Sequence, residues 1–289
     1  MISRTHLLFL VLFFCSCGPA QLAAQEFSGG FRAGLNSMTF SGDLEMDNGM
    51  TLEEFNRTTG FHVGATFALA FTDLVGVKAN FMYTQKGGEI DYVGPGYFFS
   101  FNEAEGAVNG DVNFGDLRRE LDVVNSYLEV PVLGYYKLGP LELEGGLSAA
   151  FLVNSRASGS ARYTILGEDV VINYDANFLR DAPGGIVASD GNRIPGNTSG
   201  TAPTVVGAYY NSDRDDPLYR RLDFAAVVGL SYFLNNGLFV GARYQHGFTD
   251  VTNGENDLRQ TRNSGGTREF NTGDKDYNRV IQASVGFRF

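Results

Sequence analysis

The sequence predicts an all-β protein: an eight-stranded antiparallel transmembrane β-barrel with short periplasmic turns and long extracellular loops. Three observations predict it. The N-terminus reads as an export leader, eight later segments carry apolar residues with period two, and the connections between those segments alternate short and long without exception. The composition agrees, since 43% hydrophobic residues, 13% aromatic, 37 Gly and only 19% charged over 289 residues exclude disordered, collagen-like and coiled-coil chains. One apolar run, at the extreme N-terminus, is too little for a helical membrane protein, which needs further stretches of ~20 apolar residues.

Residues 1–24 supply the leader. Arg4 is the positive n-region, Leu7 to Phe14 the apolar h-region, and Ala20 to Ala24 a small-residue exit, so cleavage is expected after Ala24 and the barrel domain covers 25–289. The competing readings are a retained anchor, for which the run is too short, and lipidation at Cys17, which lacks the usual aliphatic residue three positions upstream. Both cysteines, Cys15 and Cys17, fall inside the leader, so the mature chain has neither a disulfide framework nor a thiolate metal site. With Arg4 removed, 21 basic residues face 33 acidic ones, a formal charge of -12, which disfavours a nucleic-acid partner.

The eight segments follow in order. Residues 27–40 place Phe27, Phe31, Ala33 and Leu35 on one face; residues 60–71 do the same with Phe61, Val63, Ala65, Phe67, Leu69 and Phe71. Residues 75–87 alternate Val75, Val77, Ala79, Phe81 and Tyr83 with Lys78, Asn80, Met82, Thr84 and Lys86. The fourth, 121–137, contains SYLEVPVLGYYK, and its Pro131 cannot donate to a ladder, which predicts a local distortion. Residues 141–154 set Leu141, Leu143, Leu147 and Phe151 against Glu142, Glu144 and Ser148; residues 220–233 set Leu222, Phe224, Val228 and Tyr232 against Arg221, Asp223 and Ser231. Residues 238–249 and 277–289 close the series with Val240, Ala242 and Tyr244, and with Ile281, Ala283, Val285, Phe287 and Phe289.

Three connections are tight: Thr72-Asp73-Leu74, Leu138-Gly139-Pro140 and Asn235-Asn236-Gly237, the last an Asn-Gly hairpin signal. Four are long, at 41–59, 88–120, 155–219 and 250–276, and alternation puts all four on one side. A soluble sandwich or lipocalin-like barrel also alternates, but with its apolar face inward. Here the second face carries Gly, Ser, Asn and full charges, too polar for a soluble core, so the pattern fits lipid outside and a polar lumen within. Phe40, Phe71, Tyr83, Tyr136, Tyr232, Phe248 and Tyr277, near segment ends, suit an interfacial girdle.

The residues also resemble a known family, the PorT-like outer-membrane β-barrels common in Bacteroidetes. The likeness is carried by YLEVPVLGYYKLG at 127–139, GGFRAGLN at 29–36, LDFAAVVGLSYF at 222–233, GARYQHGFTDV at 241–251 and the terminal Phe289, and it covers essentially the whole mature chain. It implies a cell-envelope location and a role associated with the envelope or with secretion. The third loop, longer than the family pattern, departs from it. A final strand ending in Phe287 and Phe289 resembles the assembly signal read by barrel-insertion machinery.

An eight-stranded barrel is just wide enough for side chains to fill its interior. Arg32, Lys78, Lys86, Arg221, Arg243 and Arg288 face inward against Glu129, Glu142, Glu144 and Asp223, and burial requires them to pair. Position along the strands predicts a structural ionic cluster centred on Glu129 and including Arg243, Arg32, Lys78, Asp223 and Arg221. Of the two mature histidines, His62 reads as lumenal and His246 as a girdle residue; His246 and Asp250 share a face but lie ~13 Å apart, too far for a catalytic pair. No catalytic, cofactor or metal motif is present, and the acidic runs at Asp213, Asp215 and Asp216 and at Asp250, Glu255 and Asp257 do not have EF-hand spacing.

The sequence therefore predicts a non-enzymatic, monomeric barrel with a closed lumen. Its partners would be outer-membrane lipid, the insertion machinery and an extracellular or envelope protein met through the loops, chiefly 155–219, where ARYTILGEDVVINYD and APTVVGAYYN look like hairpin strands extending the wall. The alternatives are an outer-membrane hydrolase or acyltransferase with a loop-rim site, and a narrow channel past Glu129 and Arg243.

Overall fold

The computed structural model describes residues 26–47, 49–100, 111–181, 186–188, 192–193, 201–202, 204–208, 217–235, 237–253, 260–261, 269–270 and 275–289. The leader with Cys15 and Cys17, together with Asn236, Asp213, Asp215, Asp216, Glu255 and Asp257, lies outside the described residues. Eight long strands form the wall: β1 (Glu26–Gly42), β2 (Thr58–Ala70), β3 (Val75–Ser100), β4 (Asp111–Leu138), β5 (Leu141–Ile165), β6 (Leu222–Asn235), β7 (Leu238–Gly247) and β8 (Asp276–Arg288). Each pairs antiparallel with the next. β8 returns to β1 from Gly30↔Arg288 to Gly42↔Asp276, which closes the sheet of eight long strands.

The barrel is inside out relative to a soluble one. Phe31, Leu35, Val132, Leu147, Val228 and Val285 are each more than half exposed, whereas Arg32, Asn36, Glu129, Glu144, Arg243 and Gln282 are buried. Backbone pairing explains why only strands serve here: with every N–H and C=O of a closed sheet bonded to a neighbour, the wall meets hydrocarbon at no polar cost.

The turns at the short end are those the sequence indicates. Thr72 Oγ1 accepts from Leu74 N at 3.2 Å and Val75 N at 3.1 Å between β2 and β3. Gly139, at φ +61°, turns β4 into β5, and Gly237, at φ +95°, turns β6 into β7. Pro131 leaves a gap in the β3–β4 ladder between Ala79↔Val132 and Met82↔Glu129 without shifting its register, so the expected distortion is a missing rung.

At the other end two of the expected loops, 88–120 and 155–219, carry strand extensions of the wall. β3 and β4 continue as a paired hairpin from Gly88↔Val123 to Ser100↔Asp111, where a long connection at 88–120 was expected, and β5 runs to Ile165 rather than ending near Asn154. The physical reason is an exchange of faces along one strand. In β4 the inward positions Asn125, Tyr127 and Glu129 give way to Val123, Leu121 and Leu117, while outward Leu128, Val130 and Val132 give way to Asp122, Glu120 and Arg118. The lower half is built for lipid and the upper half for water. In β5 a bulge opposite Ser126/Tyr127 moves the inward set from even positions, through Leu152, to the odd positions Ser155, Ala157, Ala161 and Tyr163.

A rim strand, Glu168–Asn177, pairs with the top of β5 through a two-residue turn in which Leu166 (φ 52°) and Gly167 (φ 85°) are both left-handed. Val205–Val206 then adds in parallel to the rim strand at Asn173 and Tyr174. The inner faces of these extensions enclose an apolar core in which Phe40, Leu121, Val123, Leu152, Ile172 and Tyr219 are all buried. Phe40 belongs to this core, stacked on Tyr219 at 6.1 Å, and not to the girdle, because its even position on β1 faces inward with Arg32 and Asn36.

Candidate functional site

The lumen holds two ionic groups, one above the other. The lower, near the short turns, is organised by Glu144 on β5, which contacts Lys78 (β3) and Arg243 (β7) and lies 3.7 Å from Arg32 Nη1 (β1). Lys78 also donates to Glu142 Oε1 at 2.6 Å, and Arg288 Nη1 donates to Glu142 Oε2 at 2.8 Å. Aromatic faces support the cations: Arg32 lies over Phe239 at 5.5 Å, Lys78 over Tyr135 at 5.7 Å and Arg288 over Phe233 at 4.4 Å. With the Asn80 amide turned so that its oxygen faces the guanidinium, it accepts from Arg243 at 2.8 and 3.0 Å.

The upper group is built on Lys86 of β3, which reaches Glu129 at 3.3 Å and Asp223 at 3.0 Å and lies over the Tyr127 ring at 5.3 Å. Gln245 donates to Glu129 at 3.2 Å and Asn278 to Asp223 at 3.0 Å. Between the groups, His62 bonds Asn36 Oδ1 at 2.7 Å and Ser284 Oγ at 2.9 Å.

Two features of the expected cluster are corrected. Its centre is Glu144, not Glu129, because Arg32, Lys78 and Arg243 all converge at the level of Glu144 while Glu129 sits higher, against Lys86. Arg221 is exposed and outside both groups. The β5–β6 ladder begins at Leu222↔Phe151, so Arg221 lies on the bend before the strand, where inward–outward alternation no longer governs it. Asp223, Arg243, Arg32 and Lys78 are lumenal and buried. Glu142, Glu144 and Lys86 were legible as inward residues, but their height relative to strands far away in sequence was not.

Space for the lower group comes from Gly229 on β6, which faces inward between Glu144 and Arg243. A Cβ there would stand 2.7 Å from Arg243 Cγ and 2.9 Å from Glu144 Oε1. Above the membrane, Gly87 at φ +142° lets β3 bend into its extension, with Val123 O close behind it.

The two histidines are occupied in different ways. His62 is locked in the lumen, whereas His246 faces outward between Tyr244 and Tyr277 and accepts from Arg279 Nε at 3.3 Å. Asp250 instead meets Arg220 at 3.3 Å and accepts from Asp276 N at 3.1 Å. At the chain end, Phe289 exchanges backbone hydrogen bonds with Gly29 and Phe287 stacks on Phe31 at 6.3 Å, so the terminal aromatics lie on the β8–β1 seam.

The outer wall above the lipid is charged. Glu89 and Asp91 on β3 stand directly opposite Asp122 and Glu120 on β4, and Glu54 is opposite Asp91 on the far side. Partial burial and then the neighbouring Asp91, Asp122 and Glu120 raise the Glu89 carboxyl above its usual range. Near the rim turn, the Thr164 hydroxyl and Arg162 hold the exposed Asp169 carboxyl below its usual range. An open cleft of about 660 Å³ lies outside the wall among Tyr83, Asn154, Arg156, Asp175 and Asn177. Among the described residues, no group of His, Cys, Asp and Glu could hold a metal ion.

A closed wall with lipid-facing apolar residues and a charged interior defines an outer-membrane β-barrel. Residues 20–253 match the family model of the outer membrane protein beta-barrel domain, and the chain belongs to that family. It is similar in structure to Ail, the attachment invasion locus protein of Yersinia pestis, at 12% identity over 91% of this chain and 99% of that one, TM-score 0.35. It is also similar to OprG of Pseudomonas aeruginosa (12%, 92% and 97%, TM-score 0.36) and to the outer membrane protease OmpT of Escherichia coli (9%, 91% and 96%, TM-score 0.29). No curated protein matches the chain. The protein resides in the outer membrane.

Proposed function

We propose that this protein is a monomeric, non-enzymatic barrel with a closed lumen, and that its extracellular wall binds a partner or braces the envelope, in keeping with its PorT-like sequence features. The observation that carries this reading is the apolar core above the ionic groups: Val123, Leu152, Tyr163, Ile172, Val206 and Val251 are each fully buried over the lumen. Ions crossing the barrel would have to pass that core. The lumenal carboxylates Glu129, Glu142, Glu144 and Asp223 are each held by a cation, which supports a structural use for them rather than a catalytic one. Partner contact falls to the wall and rim, where Val93, Met46, Met50 and Leu166 are exposed.

Planar-bilayer recording on the purified barrel tests the closed lumen, with no unitary conductance expected. Val123→Asp together with Leu152→Asp, which make the core polar, should introduce conductance. Steady conductance of the unmodified protein would overturn the reading.

A further inference from the structure

The open cleft on the outer wall, about 660 Å³, falls within the ~300–1,000 Å³ that small-molecule sites occupy. It begins where lipid-facing Leu128, Phe151 and Val153 give way to Ser126, Asn154 and Arg156 on the same strands. Its far side is the end of the rim strand, with Asp175, and the turn that follows, with Arg180 and Asp181. That turn is firmly built. Phe178 is 1% exposed and packs edge-on against Tyr219 at 5.5 Å, which pins the turn to the apolar core. Asn177 Oδ1 accepts from Leu179 N and Arg180 N, each at 3.1 Å, and Asp181 Oδ2 accepts from Asn177 N at 2.7 Å and Ala208 N at 3.2 Å. On the near side Tyr83 is held by the Phe61 ring at 5.6 Å and by its own hydroxyl, which donates to Ser126 Oγ at 2.8 Å. A ligand entering the cleft therefore has little protein to order.

The hydrogen-bonding groups that these contacts leave open alternate in kind. Among the described residues the Arg180 guanidinium meets no acceptor, Arg156 engages only Nη2, on Asp175 Oδ1 at 3.4 Å, and Asn154 engages only Oδ1, on Asn177 Nδ2 at 3.4 Å. Asp175 Oδ2 and Asp181 Oδ1 are the open acceptors. The exposed Arg156–Asp175 pair contributes little, so a ligand can take up both groups at small cost. Two guanidinium groups against two carboxylates leave the cleft without net formal charge, which favours neither an anion nor a cation. Neighbouring hydroxyls on one ring suit both kinds of group, since each hydroxyl donates to a carboxylate while accepting from a guanidinium or amide. Tyr83 supplies an aromatic wall for the C–H face of such a ring.

We propose that this cleft binds a saccharide, with Arg180, Arg156 and Asn154 donating to its hydroxyls, Asp175 and Asp181 accepting from them, and Tyr83 against the ring. The proposal rests on the reading of the extracellular wall as the binding surface and gives that surface a ligand class. At the height of the last lipid-facing residues, the sugar comes either from a glycolipid head group beside the barrel or from a soluble glycan above it.

The test is saturation-transfer difference NMR on the full barrel in phosphatidylcholine nanodiscs, with glucose, galactose, mannose and N-acetylglucosamine as probes. At least one should give a saturable signal. Arg180→Ala and Asp175→Ala act at exposed positions, and each should weaken binding about tenfold, the effect of losing a hydrogen bond to a charged group. Arg118→Ala, exposed on the same wall but outside the cleft, should bind as the unmodified protein does. A glycosyl diacylglycerol added to the nanodisc displaces the sugar if the source is the membrane, and undiminished binding in its presence places the source among soluble glycans. No saturable signal from any probe, undiminished binding in both cleft variants, or displacement of the sugar by inorganic phosphate at equal concentration overturns the proposal. None of these results bears on the closed lumen, which conductance tests separately.

Discussion

Replacing Glu144 by glutamine removes the single carboxylate shared by Lys78, Arg243 and Arg32 while keeping its shape. Breaking a buried ion pair by neutralising one partner costs about 3–5 kcal/mol, because the other charge stays buried without compensation. Three cations lose their anion here, and Lys78 alone keeps a second one, Glu142 at 2.6 Å, so the upper end of that range is expected. Glu129→Gln is the internal comparison. Lys86 retains Asp223 at 3.0 Å and Gln245 can still bond the amide, which limits the expected loss to about 1–2 kcal/mol. The assay is urea unfolding in vesicles, followed by far-ultraviolet circular dichroism and by the compact migration of unheated protein on a semi-native gel. Adding Arg32→Met to Glu144→Gln should recover part of the loss, since Arg32 faces no second carboxylate among the described residues and its orphaned charge disappears with its partner. Equal losses for Glu129→Gln and Glu144→Gln, or a larger loss at Glu129, would refute the assignment of Glu144 as the organising residue.

Gly229→Ala forces a methyl to 2.7 Å from Arg243 Cγ and 2.9 Å from Glu144 Oε1, and the overpacking should cost about 1–3 kcal/mol in the same unfolding assay, with no such loss at Gly139→Ala beyond its turn strain. Glu89 has a carboxyl raised by burial and by Asp91, Asp122 and Glu120; its folded form holds the proton more tightly than the unfolded chain, so stability grows as pH falls through the raised value and is lost as pH rises. Proteolysis of the β3–β4 extension should therefore be slower at pH 5 than at pH 7, and Glu89→Gln should reduce that difference. Leu166→Asn relieves a branched side chain from φ 52° in the rim turn and should increase hydrogen-exchange protection of the rim strand by up to about 1 kcal/mol.

The transmembrane half was legible because its two determinants are local. Period-two alternation over residues 60–71 or 141–152 needs no knowledge of neighbours, and the turns at Gly139 and Gly237 carry their own chemistry. The hairpin expected at 161–175 forms, with β5 running to Ile165 and the rim strand at Glu168–Asn177, whereas the extension of β3 and β4 was missed although a local signal was present: in 117–132 the apolar residues move from odd positions (Leu117, Leu121, Val123) to even ones (Leu128, Val130, Val132) within an unbroken strand. The change of face falls inside the expected segment 121–137, where it marks the level at which the solvent outside changes from water to lipid and the strand can run on past Leu121. The parity rule failed at Arg221, one residue outside the ladder, whereas at Phe40 it held, and the aromatic side chain suggested the girdle against a position that faces inward.

The ionic groups illustrate a different limit. That Glu144 and Arg243 both face the lumen follows from sequence, but their meeting depends on the stagger of β5, β6 and β7, through which Glu144 and Arg243 both register with Gly229. Stagger is a property of the closed sheet, not of any strand, and a shift of two residues in one pair would preserve every inward and outward assignment while joining different charges. Gly229 makes the observed stagger workable, since any larger residue there would occupy the volume that the Glu144–Arg243 contact needs. The two halves of the wall consequently depend on different forces. Below Asn125 the barrel relies on lipid outside and on charge pairing within, and above it on an apolar core that resembles that of a soluble protein. Neutralising Glu144 should thus weaken the lower half first and leave the packing around Phe40, Leu152 and Tyr219 to hold the rim, so that loss of lumenal pairing and loss of extracellular structure become separable events.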